Sequence, residues 1–326
     1  MSSVSVTTPT RSAAARSGGV PRHQWIAFVL MAGFFAVAPV VVYPVFLMKV
    51  MCFALFACAF NLLLGFGGLL SFGHAMFLGT AGYAAAHAAK VWGFTPELAV
   101  LFATACSLLL GWLAGMLAIR RQGIYFAMIT LALAQMVFFF YLQAPFTGGE
   151  DGIQAVPRGK LLGLIDMSSA ATMYPFVFAI FIFGFLLIWR IVHSPFGQVL
   201  KAIRENEPRA ISLGYDTDRY KLIAFVLSAG LAGLAGATKS LVFQLASLTD
   251  VYWTMSGEVV LMTLLGGMGT IFGPVVGAAI IITMQNYLAQ LGAWVTIVQG
   301  VIFVVCVLAF RRGIVGEIAN LIKKPL

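Results

Sequence analysis

Apolar runs of bilayer length recur along this chain with almost no charge inside them, and that limits what it can fold into. The first runs from Trp25 to Met48. A helix crosses the hydrocarbon core of a bilayer with about 20 predominantly apolar residues, because every backbone polar group must be satisfied within the segment. Of the 326 residues, 61% are hydrophobic and 10% charged, against roughly 45–50% and about 25% in soluble domains. The expectation is therefore an all-α, polytopic membrane protein.

Further spans are expected near 50–70, 72–89, 98–119, 124–142, 173–189, 222–242, 251–266, 275–291 and 294–310, ten in all. The basic residues test the parity of that count. With the N-terminus inside, cytoplasmic segments hold Arg11, Arg16, Arg22, Arg120, Arg121, Arg190, Lys201, Arg204, Arg209, Arg219, Lys221, Arg311, Arg312, Lys323 and Lys324, or 15 of the 20 Lys and Arg. External segments hold Lys49, Lys90, Arg158 and Lys160, and Lys239 lies within a span. An excess of positive charge marks cytoplasmic loops, so ten spans with both termini cytoplasmic agree with it. The net charge of +9 then reflects topology and gives no reason to invoke nucleic acid. Residues 1–24 read as a disordered cytoplasmic tail, 25–312 as one transmembrane domain and 313–326 as a cytoplasmic C-terminal tail. The first span exceeds a signal-peptide core and is followed by no small-residue cleavage pattern, so it is expected to remain as an anchor.

Catalytic chemistry finds little to stand on. His23, His74, His87 and His193 are scattered, with no HExxH motif and no spaced Ser, His and Asp set. The four cysteines, Cys52, Cys58, Cys106 and Cys306, lie in apolar runs without metal-type spacing. Gly159 and Lys160 belong to no phosphate loop. No catalytic residue, metal site or cofactor is expected, and ATP, if it drives the protein, must be bound by another chain. Charge inside the spans narrows to Lys239 and Glu258; an ionisable group there costs at least ~2.5–3.5 kcal/mol. Counting ~1.5 Å per residue sets the two at similar depth near the outer face, so an ion pair and outward snorkelling of Lys239 both fit. An ion-coupled secondary transporter, the alternative class, usually shows more midplane acids than this. A channel would show a filter element or pore-lining charges.

Three segments interrupt the apolar monotony. Glycines cluster in Asn61–Gly82 and again in Gly266–Gly277, as expected for interrupted helices or for close helix packing. Both clusters begin Leu-Leu-Gly and reach Phe-Gly later, as a diverged repeat would, and as chance would in a Gly-rich chain. Polar groups there, Asn61, Ser71 and His74, together with Glu258, are the candidate translocation-path residues; Gln135, Gln285 and Asn286 fit that role or interhelical bonding. The third segment, 193–221, is a charged loop. Ser194 before Pro195 signals a helix start, Pro208 ends that helix near Glu205 or Asn206 and opens a second, Gly214 closes it in a left-handed cap, and Asp216 or Asp218 caps the next span. The second short helix offers Ala210, Ile211 and Leu213 beside Arg209.

A set of motifs runs through these segments: Asn61-Leu-Leu-Leu-Gly65 with Leu70-Ser-Phe-Gly-His74, Arg121-Gln-Gly-Ile-Tyr-Phe-Ala-Met128, Thr147-Gly-Gly-Glu-Asp-Gly152, Ser194-Pro-Phe-Gly197, Arg204-Glu-Asn-Glu207, Ser256-Gly-Glu258 and Leu265-Gly-Gly-Met-Gly-Thr270. In these motifs the sequence resembles the M-type permease of bacterial branched-chain amino acid ABC importers. The resemblance implies a heteromeric complex with a homologous second permease subunit, two ATP-binding subunits and an extracytoplasmic substrate-binding protein. It also implies a coupling role for the loop 193–221; the second short helix, in a loop longer than a simple connection needs, makes Glu207, Arg209, Ala210, Ile211, Leu213 and Gly214 the residues expected to dock on an ATPase subunit. The general coupling pattern, EAA, three residues, then Gly, is met here by Pro208, Arg209 and Ala210 before Gly214, with the acid displaced to Glu207. Urea and amide permeases share the family. Glu150 and Asp151 form either a solvated external turn or a docking point for the binding protein through complementary charge.

Overall fold

The computed structural model describes residues 22–289, 294–309 and 313–322. The tail expected over 1–24 falls almost entirely outside them, as do the side chain of Cys306 and the basic residues Arg311, Arg312, Lys323 and Lys324.

Helix α1 (Arg22–Val37) ends where Pro39 enters a short 3₁₀ turn, and α2 (Pro44–Asn61) restarts with Pro44 in its first turn. Proline has no N–H to donate and so opens helices more readily than it continues them. The first two candidate spans therefore lie at 23–40 and 44–66, not 25–48 and 50–70, and Lys49 moves from an external loop to the second turn of α2. A five-residue π segment, Leu62–Phe66, extends α2. There follow α3 (His74–Lys90), α4 (Pro96–Ala118), α5 (Ile124–Gln143), α6 (Ala170–His193), α7 (Pro195–Glu205), α8 (Glu207–Ser212), α9 (Thr217–Phe243), α10 (Trp253–Gly266), α11 (Gly273–Leu288), α12 (Trp294–Ala309) and α13 (Gly313–Ile322). The strands are two residues each: β1 (Ile153–Gln154) pairs antiparallel with β4 (Leu245–Ala246), and β2 (Lys160–Leu161) with β3 (Ile165–Asp166).

Among the described residues six helical segments are long and apolar enough to cross a membrane: His23–Val40, Pro44–Phe66, Pro96–Ala118, Ile124–Gln143, Ala170–His193 and Thr217–Phe243. Their burial sorts them. The α2 and α9 windows are 94% and 72% buried, whereas those of α1, α4 and α5 are 17%, 33% and 22% buried. Since the exposed faces carry Leu101, Leu109, Leu117, Met136 and Phe139, the outer helices present apolar surface where a soluble protein would present charge. The core forms around α9, which packs on α2, α3 and α4. Small residues make that approach close: a Cβ at Gly233 would strike Ser107, and one at Gly236 would strike the Leu78 carbonyl.

The two ends of the bundle are distinct. At one, Lys90 Nζ donates to the Gln154 carbonyl (2.7 Å), Leu162 N–H to Glu97 (3.1 Å) and Arg158 to the Val242 carbonyl (2.8 Å). At the other, Trp25 of α1 lies on Trp189 of α6 (4.7 Å between ring centroids), beside α7, and α13 packs on α10 and α11 with Gly313 against Gly267. The first and last described helices thus both reach the end that carries α7 and α8.

Candidate functional site

The loop 193–221 folds as its caps dictate. Ser194 Oγ accepts from Gly197 N–H (3.4 Å) to open α7, Asn206 Oδ1 accepts from Arg209 N–H (3.1 Å) to open α8, and Asp216 Oδ1 accepts from Arg219 N–H (3.3 Å) to open α9. Each takes up an N–H that the first helical turn leaves without a partner. Gly214 closes α8 at φ +88°, the left-handed region that side chains with a Cβ avoid.

Within this segment the side chains divide by direction. Ile211 and Leu213 are 56% and 68% exposed, and Arg209 is exposed beside them. Ala210 turns the other way and is buried, so the apolar knob consists of Ile211 and Leu213 without it. Glu207 also points inward: its carboxylate pairs with Lys221 Nζ at 2.5 Å, with the lysine side chain only 3% exposed. That pair fixes the start of α8 to the first turns of α9.

Arg204, which sequence reading left as a motif letter, joins α7 to both glycine clusters. Its guanidinium donates to the Gly65 carbonyl in the π segment, and it sits against Gly68 and Gly269. Asn61 completes the junction by accepting from Gly269 N–H (3.0 Å) and donating to the Thr270 carbonyl (2.8 Å). The clusters are thus linkers between separate helices as well as close contacts, and one asparagine ties them together. Lys201, also on α7, lies 5.3 Å from the Phe66 ring centroid, and burial holds its ammonium below the usual lysine value.

The other candidate path residues of the first cluster lie in the interior. His74 is fully buried, packed edge-on against Phe60 and Phe77, with Nε2 2.8 Å from Ser228 Oγ. Ser228 spends its single proton on the Ala59 carbonyl (2.5 Å), so His74 Nε2–H must be the donor. Ser71 Oγ accepts from Gly73 N–H (3.2 Å) just ahead of α3.

Glu258 stands elsewhere, in a cleft of about 380 Å³ at the end of the bundle opposite α8. Its carboxylate accepts from Gln285 Nε2 (3.1 Å). Lys239 is paired with Asp250 rather than with Glu258. The link from Phe243 to Trp253 folds back through a 3₁₀ turn, Leu248–Asp250, and brings Asp250 to Lys239 before α10 begins. Four ionisable groups, Lys49, Lys239, Asp250 and Glu258, share this cleft, where the sequence suggested two. Glu150 and Asp151 lie on the same end of the molecule, exposed in a 3₁₀ turn next to β1. Among the described residues no group of His, Cys, Asp and Glu is placed to hold a metal ion, and Cys52, Cys58 and Cys106 are free.

Residues 42–307 match the family described as branched-chain amino acid transport system, permease component. The high-affinity branched-chain amino acid transport system permease protein LivM of Salmonella typhimurium is 25% identical over 287 residues, covering 81% of this chain and 68% of the relative. Its Escherichia coli namesake is 24% identical over 292 residues with the same coverage. The ribose import permease protein RbsC of Bacillus subtilis is 30% identical over 197 residues, 55% of this chain and 58% of that one. No solved structure matches the chain.

Proposed function

This chain belongs to the branched-chain amino acid transport permease family, and from that membership we propose that it is a membrane permease subunit of an ATP-driven importer for branched-chain or related amino acids. It resides in the cytoplasmic membrane as a multi-pass protein. In this reading α3, α10, α11 and α12 add four shorter crossings to the six long ones, giving ten spans with both termini cytoplasmic. The second permease subunit, two ATP-binding subunits and the extracytoplasmic binding protein complete the complex.

The observation that carries the mechanism is the direction of the side chains in α8. Ile211 on the six-residue helix and Leu213 at its C-cap are exposed, while Asn206, Gly214 and the Glu207–Lys221 pair fix the helix at its ends. A loop that merely joined two spans would need only a few residues. Docked in a groove of an ATPase subunit, α8 would move as a body with α7, and Arg204 would carry that displacement to Gly65 and to the loop after α10. Closure of the nucleotide-binding subunits would thereby shift the helix connections at the inner end of the bundle. The Thr147–Gly152 turn, with Glu150 and Asp151 exposed, offers acceptor charges to the binding protein at the outer end.

The direct check is to co-express the chain with its partner subunits, reconstitute the complex in proteoliposomes and measure uptake of labelled leucine. Uptake that needs both ATP and the binding protein is expected. Uptake of urea but not of any α-amino acid would move the assignment to the amide branch of the family, and uptake driven by an ion gradient without ATP would overturn it.

A further inference from the structure

We infer that the outer cleft between α2, α9, α10 and α11 is a reception site for the zwitterionic head of an apolar α-amino acid on its way into the permease. The inference rests on the amino acid importer reading and assigns the residues that would meet the substrate.

Lys49 lies five residues into α2, Lys239 four residues before the end of α9, Glu258 five residues into α10 and Gln285 three residues before the end of α11. At ~1.5 Å per residue all four stand within about 8 Å of the outer ends of their helices. Four helices running in alternating directions therefore contribute polar groups at one level, in a chain only 10% charged. Groups of this kind are expensive within a membrane domain, which is why they mark ligand pathways there.

The charges are not all committed to each other. Lys239 and Asp250 form an ion pair, and Glu258 has a neutral amide partner in Gln285. Among the described residues Lys49 makes no ion pair, and it lines the same cleft as Glu258. Subtracting the closed pair leaves one ammonium and one carboxylate, separated and facing a common space. A free α-amino acid carries the complementary two charges on adjacent atoms. Its carboxylate would meet Lys49 and its ammonium would meet Glu258, with Gln285 holding the Glu258 carboxylate in place. Phe53, Phe243, Leu245 and Met255 supply apolar wall for an aliphatic side chain, with the hydroxyl residues Ser247 and Thr249 beside them and no further charged group left unpaired. A sugar would leave both charges unmatched, and leaving charged groups unpaired in a desolvated site is what separates ligands most strongly.

The test uses the complete transporter in proteoliposomes with labelled leucine as the probe. Lys49→Met and Glu258→Gln are each expected to lower uptake at least tenfold while subunit assembly and binding-protein-stimulated ATP hydrolysis persist. Lys49→Arg and Glu258→Asp, which keep the charges but alter their reach, should lower uptake severalfold. Wild-type uptake in the neutral variants would overturn the assignment; if those variants fail to assemble, wild-type uptake in the charge-conserving pair overturns it instead. Absence of leucine uptake by the unaltered complex would count against the importer reading itself, so the two failures are distinct.

Discussion

Arg204 is the residue whose loss should separate assembly from transport. It reaches from α7 to the Gly65 carbonyl, 139 residues away in sequence, and touches Gly269 as well. Arg204→Ala removes the tie without disturbing the caps of α7 or α8, so the complex should assemble and hydrolyse ATP while leucine uptake falls about tenfold. Uptake equal to the parent would show that movement of α7 does not pass through this side chain. Lys221 serves a different end. Its ion pair with Glu207 is largely shielded from water, and a hydrogen bond to a charged group contributes about 1.5–3 kcal/mol. Lys221→Met should therefore lower the thermal midpoint of the purified subunit by several degrees, and an unchanged midpoint would contradict that role. The cap at Ser194, the left-handed turn at Gly214 and, between Asp216 and Asp218, the cap of α9 were legible in the sequence as local signals acting within four residues, whereas Asn206 read only as a helix end and proves to be the cap of α8. The bridges made by Arg204 and Asn61 were not legible, since both join segments more than a hundred residues apart and no local pattern announces them.

At the scale of elements, α9 is the member around which the others close, and its small residues make that closure close. A side chain at Gly236 would have to occupy the space of the Leu78 backbone carbonyl, whereas one at Gly33 of α1 would meet nothing within 4 Å. Overpacking against side chains costs about 1–3 kcal/mol, and backbone yields less readily. Gly236→Val should therefore sharply reduce the yield of folded protein in detergent, while Gly33→Val leaves it unchanged; equal yields would contradict the packing described. Helix existence was largely readable from apolar length. Boundaries were less so where a helix is apolar all round: α2 is buried on every side and shows no polar face whose rhythm would mark its ends. The prolines at 39 and 44 set the break instead. Asp250 was missed as an intramembrane partner because it sits in the link after α9, and only the folding back of that link brings it to Lys239.

For the whole molecule, the account requires that the two ends lie on opposite sides of a membrane. Single cysteines in 150–166 of a cysteine-free background should react with an impermeant thiol reagent from outside intact cells, and those in 205–216 should react only after permeabilisation. External labelling of the second group would reverse the topology. The central claim is that α8 transmits ATP hydrolysis to the permease, and the measurement that tests it most directly is the number of leucine molecules imported per ATP hydrolysed by the reconstituted complex. Ile211→Asp sets a charge on the exposed apolar knob, and Gly214→Val forces a β-branched residue into a left-handed conformation that costs about 1–2 kcal/mol even for an ordinary L residue. Both should insert and assemble normally and yet import several-fold less leucine per ATP than the parent. Parental uptake together with parental binding-protein-stimulated ATP hydrolysis in both variants would contradict the claim and remove α8 from the mechanism.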